Sequence, residues 1–417
     1  MRLCIQWPRF GPYHLARLRE THTVLAPRGV EVIGLETAGY DDLYEWRVEQ
    51  DASSFRREQV FPNRTFESIP PATMHTGTLE ALDRLDPDAV GIMSYGYPDA
   101  RAALAWCRRR RKAAVLMTDT KADDAERVGW REEVKKLIVD QYDAALAAGT
   151  PHRDYLRELG FSSRRIELGY NVVDNEYFRT GADHARRNPD LFRDLPGLAD
   201  DRPYFLASNR FIARKNLDRL LVTYGAYRDR AEASGLDPWR LLMVGDGRLR
   251  GDLERLVQDR QIEGVVFCGF RQVDELPAYY GRAGAFVHPA LVDQWALVVN
   301  EALASGLPAI ISTGAGSAHD LIEEGANGYR FVPHDTETLT DRLFRLAAPD
   351  TDRERMGQRS SEIIAEWPLA RFAEGIWAAA RAGQSVAQRR PSLAAQAILT
   401  GINRLTRSVR SFHSLEV

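Results

Sequence analysis

In 287-VHPALVDQWALVVNEALASGLPAIIS-312 two carboxylates, Asp293 and Glu301, stand eight residues apart around an apolar run. An apolar stretch, a polar loop and a helical pattern stopped by Gly306 describe a strand, a turn and a helix. Asp293 then falls on the loop and Glu301 one to two turns inside the helix, so both can face one crevice. Glu301 can accept hydrogen bonds from a ribose diol and Asp293 from the hydroxyls of a second sugar, while the N–H groups of the helix start aim at phosphate between them. The plain alternative is that Asp293 caps the helix and Glu301 is a solvated helical residue, both ordinary uses of these residue types.

A second loop carries the opposite charge. In 210-RFIARKN-216, Arg210 and Lys215 lie on a loop that opens a helix. Cations there run against the helix dipole, and a bound diphosphate would supply the reason for them. Further on, 241-LLMVGDGRLRGDLERL-256 runs from a strand through Gly245 and Gly247 into a helix. These glycines allow close backbone approach, although a structural turn is the alternative, since neither a GxGxxG pattern nor a P-loop lysine is present. In 313-TGAGSAHDLIEEGANGYRF-331, Gly314 and Gly316 precede a helix expected to start near Asp320, another geometry that accepts phosphate or sugar. His288 ends a strand near the expected diphosphate, with a structural role as the alternative.

These loops need strands and helices to position them, and the chain has both in alternation, the pattern of an α/β protein with parallel sheets covered on both faces. The first series of strands is expected at 2–7, 30–36, 89–94, 113–118, 144–149 and 164–169. The second is expected at 204–209, 240–245, 264–269, 284–289 and 307–312. A polar, proline-bearing stretch separates them. The expected organisation is a first domain over 1–180, a linker over 181–203 and a second domain over 204–367, with C-terminal helices of 368–417 packing back on the first. Within that tail, 391-PSLAAQAILTGINRLTRSVRSF-412 is amphipathic and basic, so it either packs on the body or touches a membrane surface.

The bulk numbers agree with this plan. A chain of 417 residues with 44% apolar and 28% charged residues is long enough for two cores and too apolar for disorder. No run of about 18 apolar residues exists and the first residues lack a signal-peptide layout, so a cytoplasmic location is the default expectation. Cys4, Cys107 and Cys268 are odd in number and widely spaced, which gives no disulfide framework or zinc site. A net charge of -3 gives no global attraction to nucleic acid. The basic run 108-RRRRK-112 sits at a helix end, where cations complement the dipole.

Taken in order, NRFIARKN, LMVGDGRLRGDLE, LPAYY, VHPALVDQWALVVNEALASGLPAI and ANGYRF resemble the C-terminal domain of retaining glycosyltransferases of the GT-B fold, family 4. The segment 166-IELGYNVVDNEYF-178 is similar to the stretch before that family's interdomain linker. The match covers about residues 160 to 345 and is specific by its combination of motifs. The resemblance implies a GT-B fold, two Rossmann-like domains facing each other across a cleft, with a nucleotide-diphosphate sugar as substrate. It assigns Glu301 to the ribose, Asp293 to the donor sugar, Arg210 and Lys215 to the diphosphate, and Phe270 with Arg271 to the base. Trp295, Ala296, Leu297 and Val298, between the two acids, join the donor-binding set with Gly245. In the first domain Gly11 would approach the donor phosphate, and His14 would position the diphosphate or the acceptor. Asp119, Lys121, Asp123 and Arg127 form a polar cluster at a strand end and are the further acceptor candidates, with a solvated loop as the alternative. The chain departs from the family where Asp293 replaces the usual glutamate and where 316-GSAHD-320 replaces the usual GGxxE.

The reaction implied is transfer of a hexose-type sugar to an acceptor hydroxyl with retention, by a front-face route in which the leaving diphosphate helps deprotonate the acceptor. A UDP-sugar is the first expectation for the donor. The acceptor is a saccharide, a lipid-linked group or a small molecule, and neither a divalent metal nor another cofactor is expected. Two other readings stay open, a nucleotide-sugar epimerase or hydrolase of the same plan and a nucleotide-sugar-binding protein without catalysis.

Overall fold

The computed structural model describes residues 1–40, 46 and 55–386. Its two compact units are, in their described residues, Met1–Val172 with Leu369–Val386, and Val173–Pro368. Each is built on one parallel sheet, most of whose strands are apolar runs buried on both faces.

The first unit holds seven strands: β1 (Arg2–Trp7), β2 (Glu31–Tyr40), β3 (Arg56–Thr65), β4 (Ala89–Met93), β5 (Ala113–Thr118), β6 (Ala144–Ala147) and β7 (Ile166–Leu168). Their order is β3-β2-β1-β4-β5-β6-β7. The second holds β8 (Tyr204–Ser208), β9 (Arg240–Val244), β10 (Val265–Gly269), β11 (Ala285–His288), β12 (Ala309–Ser312) and β13 (Gly328–Phe331), in the order β10-β9-β8-β11-β12-β13. Both are Rossmann-like arrangements, in which the strand order reverses beside the first strand of the unit. In the second unit that reversal lies between β8 and β11, and the crevice outside the carboxyl ends there is where such folds bind ligands.

Two strands were not among those expected. β3 is polar, half-exposed at the sheet edge and contains Pro62, which an edge strand tolerates. β13 is only four residues long and pairs with β12, Gly328 passing so close to Ala309 that a Cβ would lie 2.0 Å from its carbonyl oxygen.

The crossover between units also differs from expectation. The chain passes into the second unit at Val172–Val173, and the stretch expected as a linker over 181–203 belongs to that unit. Its first part is a helix, Asn175–Arg187, capped by the Asp174 carboxylate on the Tyr177 N–H and packed against the helix Leu276–Arg282. Helical propensity and a packed face outweigh the polar composition that suggested a linker.

The helix Leu369–Val386 returns to the first unit and packs against the helix Pro12–Leu25. Phe372 is fully buried there, stacked on Trp7 at 5.8 Å between ring centroids. The amphipathic stretch 391–412 lies outside the described residues. Among the described residues no helix is long and apolar enough to cross a membrane. The three cysteines are buried and unpaired, and burial pushes the Cys107 and Cys268 thiols up to about 12.

Candidate functional site

The carboxyl ends of β8 and β11 carry the residues on which the sequence placed most weight. After β8 the chain turns sharply. The Asn209 N–H donates to the Val244 carbonyl at 2.9 Å and the Phe211 N–H to that of Asp246 at 2.8 Å. This fastens the Arg210 loop onto the end of β9, and Gly245 makes it possible. With φ at +126°, a Cβ there would lie 1.8 Å from the Asn209 carbonyl oxygen. The close approach foreseen at Gly245 is therefore that of the protein's own loop. Gly247 plays the same part against Phe211, and Gly314 against Leu291.

Arg210 itself is half-buried, and the loop continues into a tight turn, Ala213–Lys215. Asn216 stabilises it from a left-handed conformation by donating to the carbonyls of Pro289 and Pro333, both at 3.0 Å. The Leu291 N–H donates to the Arg214 carbonyl at 2.8 Å, which ties this turn to the loop after β11.

That loop presents Asp293, 7% exposed. Its backbone bridges Gly314 and Gly316 through hydrogen bonds of 3.0 and 3.1 Å, so the loops after β11 and β12 form one platform. The carboxylate receives the Lys215 ammonium and, at 2.9 Å, Nε2 of His288. Burial alone would raise the Asp293 pKa, but the Lys215 charge and the His288 N–H outweigh it and hold the carboxyl well below the ordinary range. Burial, and secondarily Lys215, draws His288 down against the pull of Asp293, so its ring is neutral at pH 7. Lys215 is likewise lowered by burial and held up by Asp293.

Glu301 is 1% exposed, inside the helix Leu297–Ala304, and accepts from the Tyr280 hydroxyl at 2.7 Å. Neither bland use of the acid pair survives. Ala296, not Asp293, occupies the helix cap position, and Glu301 is not solvated. Ala296 sits at φ +77°, a left-handed conformation that costs a residue with a Cβ about 1–2 kcal/mol. It lifts the first turn so that Leu297 and Val298 are half-buried, with first-turn N–H groups that have no acceptor within the helix.

Trp295 is placed differently from its expected donor-binding role. Its ring is buried, donates to the Asn300 side chain at 2.8 Å and packs on Trp367 at 5.1 Å, so it supports the loop from below. Phe270 and Arg271 follow β10, both half-buried. Arg271 is engaged by Glu275 at 3.1 Å and the Cys268 carbonyl at 3.0 Å. The short helix after β12 begins at Ser317 and contains Asp320, which the sequence had put at its start.

The first unit has its own polar group at the carboxyl edge. The Gly11 N–H donates to Nδ1 of His14 at 3.1 Å, which leaves Nε2 as the protonated nitrogen. Burial, Arg17 and Arg9 lower the His14 pKa to about 3. Asp119 accepts from Asn171 at 3.1 Å. Lys121 is buried and bonded to Asp123 at 2.6 Å, while Arg127 donates to the Ala122 carbonyl at 2.6 Å and lies 4.5 Å over the Tyr155 ring. Lys121 and Arg127 thus hold their own loop together. Arg17 escaped sequence reasoning. It is 1% exposed, donates to the Val172 carbonyl at 3.0 Å and stacks on Tyr170, yet in 12-PYHLARLRE-20 nothing separates it from Arg19.

The comparisons bear on both units. A family profile described as glycosyl transferases group 1 matches residues 190–362. The sulfoquinovosyl transferase of Arabidopsis thaliana is 36% identical over 213 residues, which are 50% of this chain and 38% of that protein. A GDP-mannose-dependent alpha-mannosyltransferase of Mycobacterium tuberculosis is 28% identical over 72% of this chain and 68% of its own length. Against the first of these relatives, the matched chain thus spans little more than a third of the partner's length. Among solved structures, a sucrose-phosphate synthase from Thermosynechococcus elongatus shares the fold with a TM-score of 0.66 at 19% identity, over 91% of this chain and 98% of that one. HepE from Anabaena, in complex with UDP, aligns with a TM-score of 0.67 at 13% identity over 91% of this chain and 99% of its own. The profile match falls wholly within the second unit, so residues 190–362 carry the glycosyl transferases group 1 domain, and the two-sheet fold is the one shared with these solved structures.

Proposed function

We propose that the protein transfers a hexose-type sugar from a nucleotide-diphosphate sugar to an acceptor hydroxyl, with retention at the anomeric carbon. One observation carries this reading: two buried carboxylates, Asp293 and Glu301, stand on a single strand–loop–helix unit at the strand-order reversal, facing the cationic loop after β8. One relative whose name specifies GDP-mannose, and a neighbour in complex with UDP-glucose, are named with nucleotide-diphosphate sugars, the class that such a set would hold.

Each residue then has a task. Glu301, oriented by Tyr280, accepts from the ribose diol, and Asp293 accepts from a hydroxyl of the donor sugar. Arg210, Lys215 and the first-turn N–H groups at Leu297 and Val298 stabilise negative charge on the diphosphate as it leaves. Phe270 and Arg271 flank the base, with a UDP-sugar as the donor to test first. In the front-face route the bond from the anomeric carbon to the diphosphate oxygen breaks while that carbon bonds the acceptor oxygen on the same face. The acceptor's proton passes to the departing diphosphate oxygen. The positive groups take the charge-stabilising role that a metal would otherwise fill, so turnover in EDTA should equal turnover in Mg2+. In the first unit His14 and Asp119 are the groups we assign to the acceptor, with Gly11 giving backbone room beside His14.

The test is calorimetry with UDP, GDP and ADP and their sugar conjugates on the wild type and on Glu301→Ala. One diphosphate should bind selectively and lose roughly tenfold or more in affinity in the variant, the worth of a hydrogen bond to a charged group. Equal binding by wild type and variant removes Glu301 from the site, and donor consumption that is independent of any acceptor replaces transfer with hydrolysis or epimerisation.

A further inference from the structure

Lys215 and His288 place their donors on the same atom of Asp293. The ammonium and Nε2 of His288 both meet Oδ2, whereas Oδ1 accepts from no group among the described residues. The side chain keeps 11% of its surface exposed. The two donors come from separate elements: His288 ends β11, and Lys215 closes the turn that Asn216 pins to Pro289 and Pro333. A carboxylate held through one donor can rotate about its Cβ–Cγ bond and exchange oxygens. One whose Oδ2 is held by two donors from different directions cannot do so without breaking both bonds.

His288 is also an expensive way to fill a strand end. It is fully buried, and its Nδ1 has no hydrogen-bond partner. A leucine there would pack without leaving a polar atom unpaired. What the imidazole adds is the Nε2 donor on Asp293, five residues along the chain.

Resting on the donor-site reading above, we propose that His288 is a positioning residue: with Lys215 it locks Oδ2 of Asp293 so that Oδ1 is presented to a hydroxyl of the donor sugar. An aspartate has one rotatable bond beyond Cβ, so holding Oδ2 from two directions also fixes where Oδ1 points. The part of donor affinity that depends on His288 is then the sugar's contribution, not the diphosphate's.

Two replacements separate the ring nitrogens. His288→Gln puts an amide N–H near the position of Nε2, and His288→Asn puts one near that of Nδ1. Calorimetry on the full chain compares UDP, GDP and ADP with UDP-glucose, GDP-mannose and ADP-glucose, and reads the ratio of diphosphate to sugar-nucleotide dissociation constants. The expected result is a roughly tenfold fall of that ratio in His288→Asn, the worth of one hydrogen bond, and a ratio within about threefold of wild type in His288→Gln, with diphosphate affinity unchanged in both. Nitrogen-15 NMR of the wild type should show His288 neutral and protonated at Nε2. A ratio preserved in His288→Asn, equal losses of diphosphate affinity in both variants, or the Nδ1 tautomer overturns the role of His288 while leaving the donor site in place. If the wild type binds none of the six probes, the donor-site reading falls and the proposal falls with it.

Discussion

Asp293 keeps its charge in a place nearly closed to water because Lys215 lies against it. Removing the partner exposes what the pair conceals: Lys215→Met leaves a buried carboxylate with only the His288 N–H, and should cost about 3 kcal/mol at pH 7 in urea unfolding. The pH dependence has a definite sign. The folded pKa of Asp293 lies below its ordinary 3.8, so the stability it contributes is complete above about pH 4 and is lost as pH falls, when the unfolded chain takes the proton first. Losing Lys215 raises the folded pKa, so the gap between wild type and variant should narrow on acidification from pH 5 to pH 3. An unchanged gap would mean that the pair does not hold the charge. Glu301 answers to a different partner. Tyr280→Phe removes the hydroxyl donating to it at 2.7 Å and should weaken nucleoside-diphosphate binding by about tenfold in calorimetry, with little change in the slope of urea unfolding.

At the scale of the element, the site depends on loops whose backbones meet. Gly245→Ala puts a methyl group into the Asn209 carbonyl and also forces a residue with a Cβ to φ +126°. The β8 loop must move, so this substitution should cost more than about 2 kcal/mol and abolish diphosphate binding, although Gly245 has its own loop as its neighbour. Ala296 is the converse case. It already carries a Cβ at φ +77°, and Ala296→Gly should relieve that strain, raising stability by up to about 1 kcal/mol in denaturant unfolding. A fall in donor turnover in the more stable variant would show that the strained cap holds the first turn of the Leu297–Ala304 helix in its working position.

For the whole molecule, the first unit is completed by a segment some two hundred residues away in the chain. Phe372, from the C-terminal helix, fills the space beside Trp7 and Tyr170, so Phe372→Ala should destabilise that unit by about 3–5 kcal/mol. Calorimetric unfolding should show the first unit's transition moving down while the transition that shifts with nucleotide, that of the second unit, stays in place. Movement of both together would mean that the units unfold as one. Much of this architecture was legible beforehand, since buried parallel strands are continuous apolar runs and a loop at a strand's carboxyl end is a matter of counting. The acid pair was legible for the same reason: Asp293 and Glu301 belong to one strand–loop–helix unit, and local periodicity decides where each falls. What lay beyond reach depends on contacts between segments distant in sequence. Lys215 meets Asp293 across 78 positions, and Arg17 is buried by Tyr170 and Phe372. The chain crosses between units at Val172–Val173 because the helix Asn175–Arg187 finds a packing partner in the second unit. By itself the sequence determined the alternation of elements, the family resemblance and the residues able to do the chemistry. Only the tertiary structure decided which oxygen of Asp293 is held, which glycines serve the protein's own loops and which tryptophan lies beneath the site, because burial and hydrogen-bond partners are settled by packing across the fold rather than by spacing along the chain.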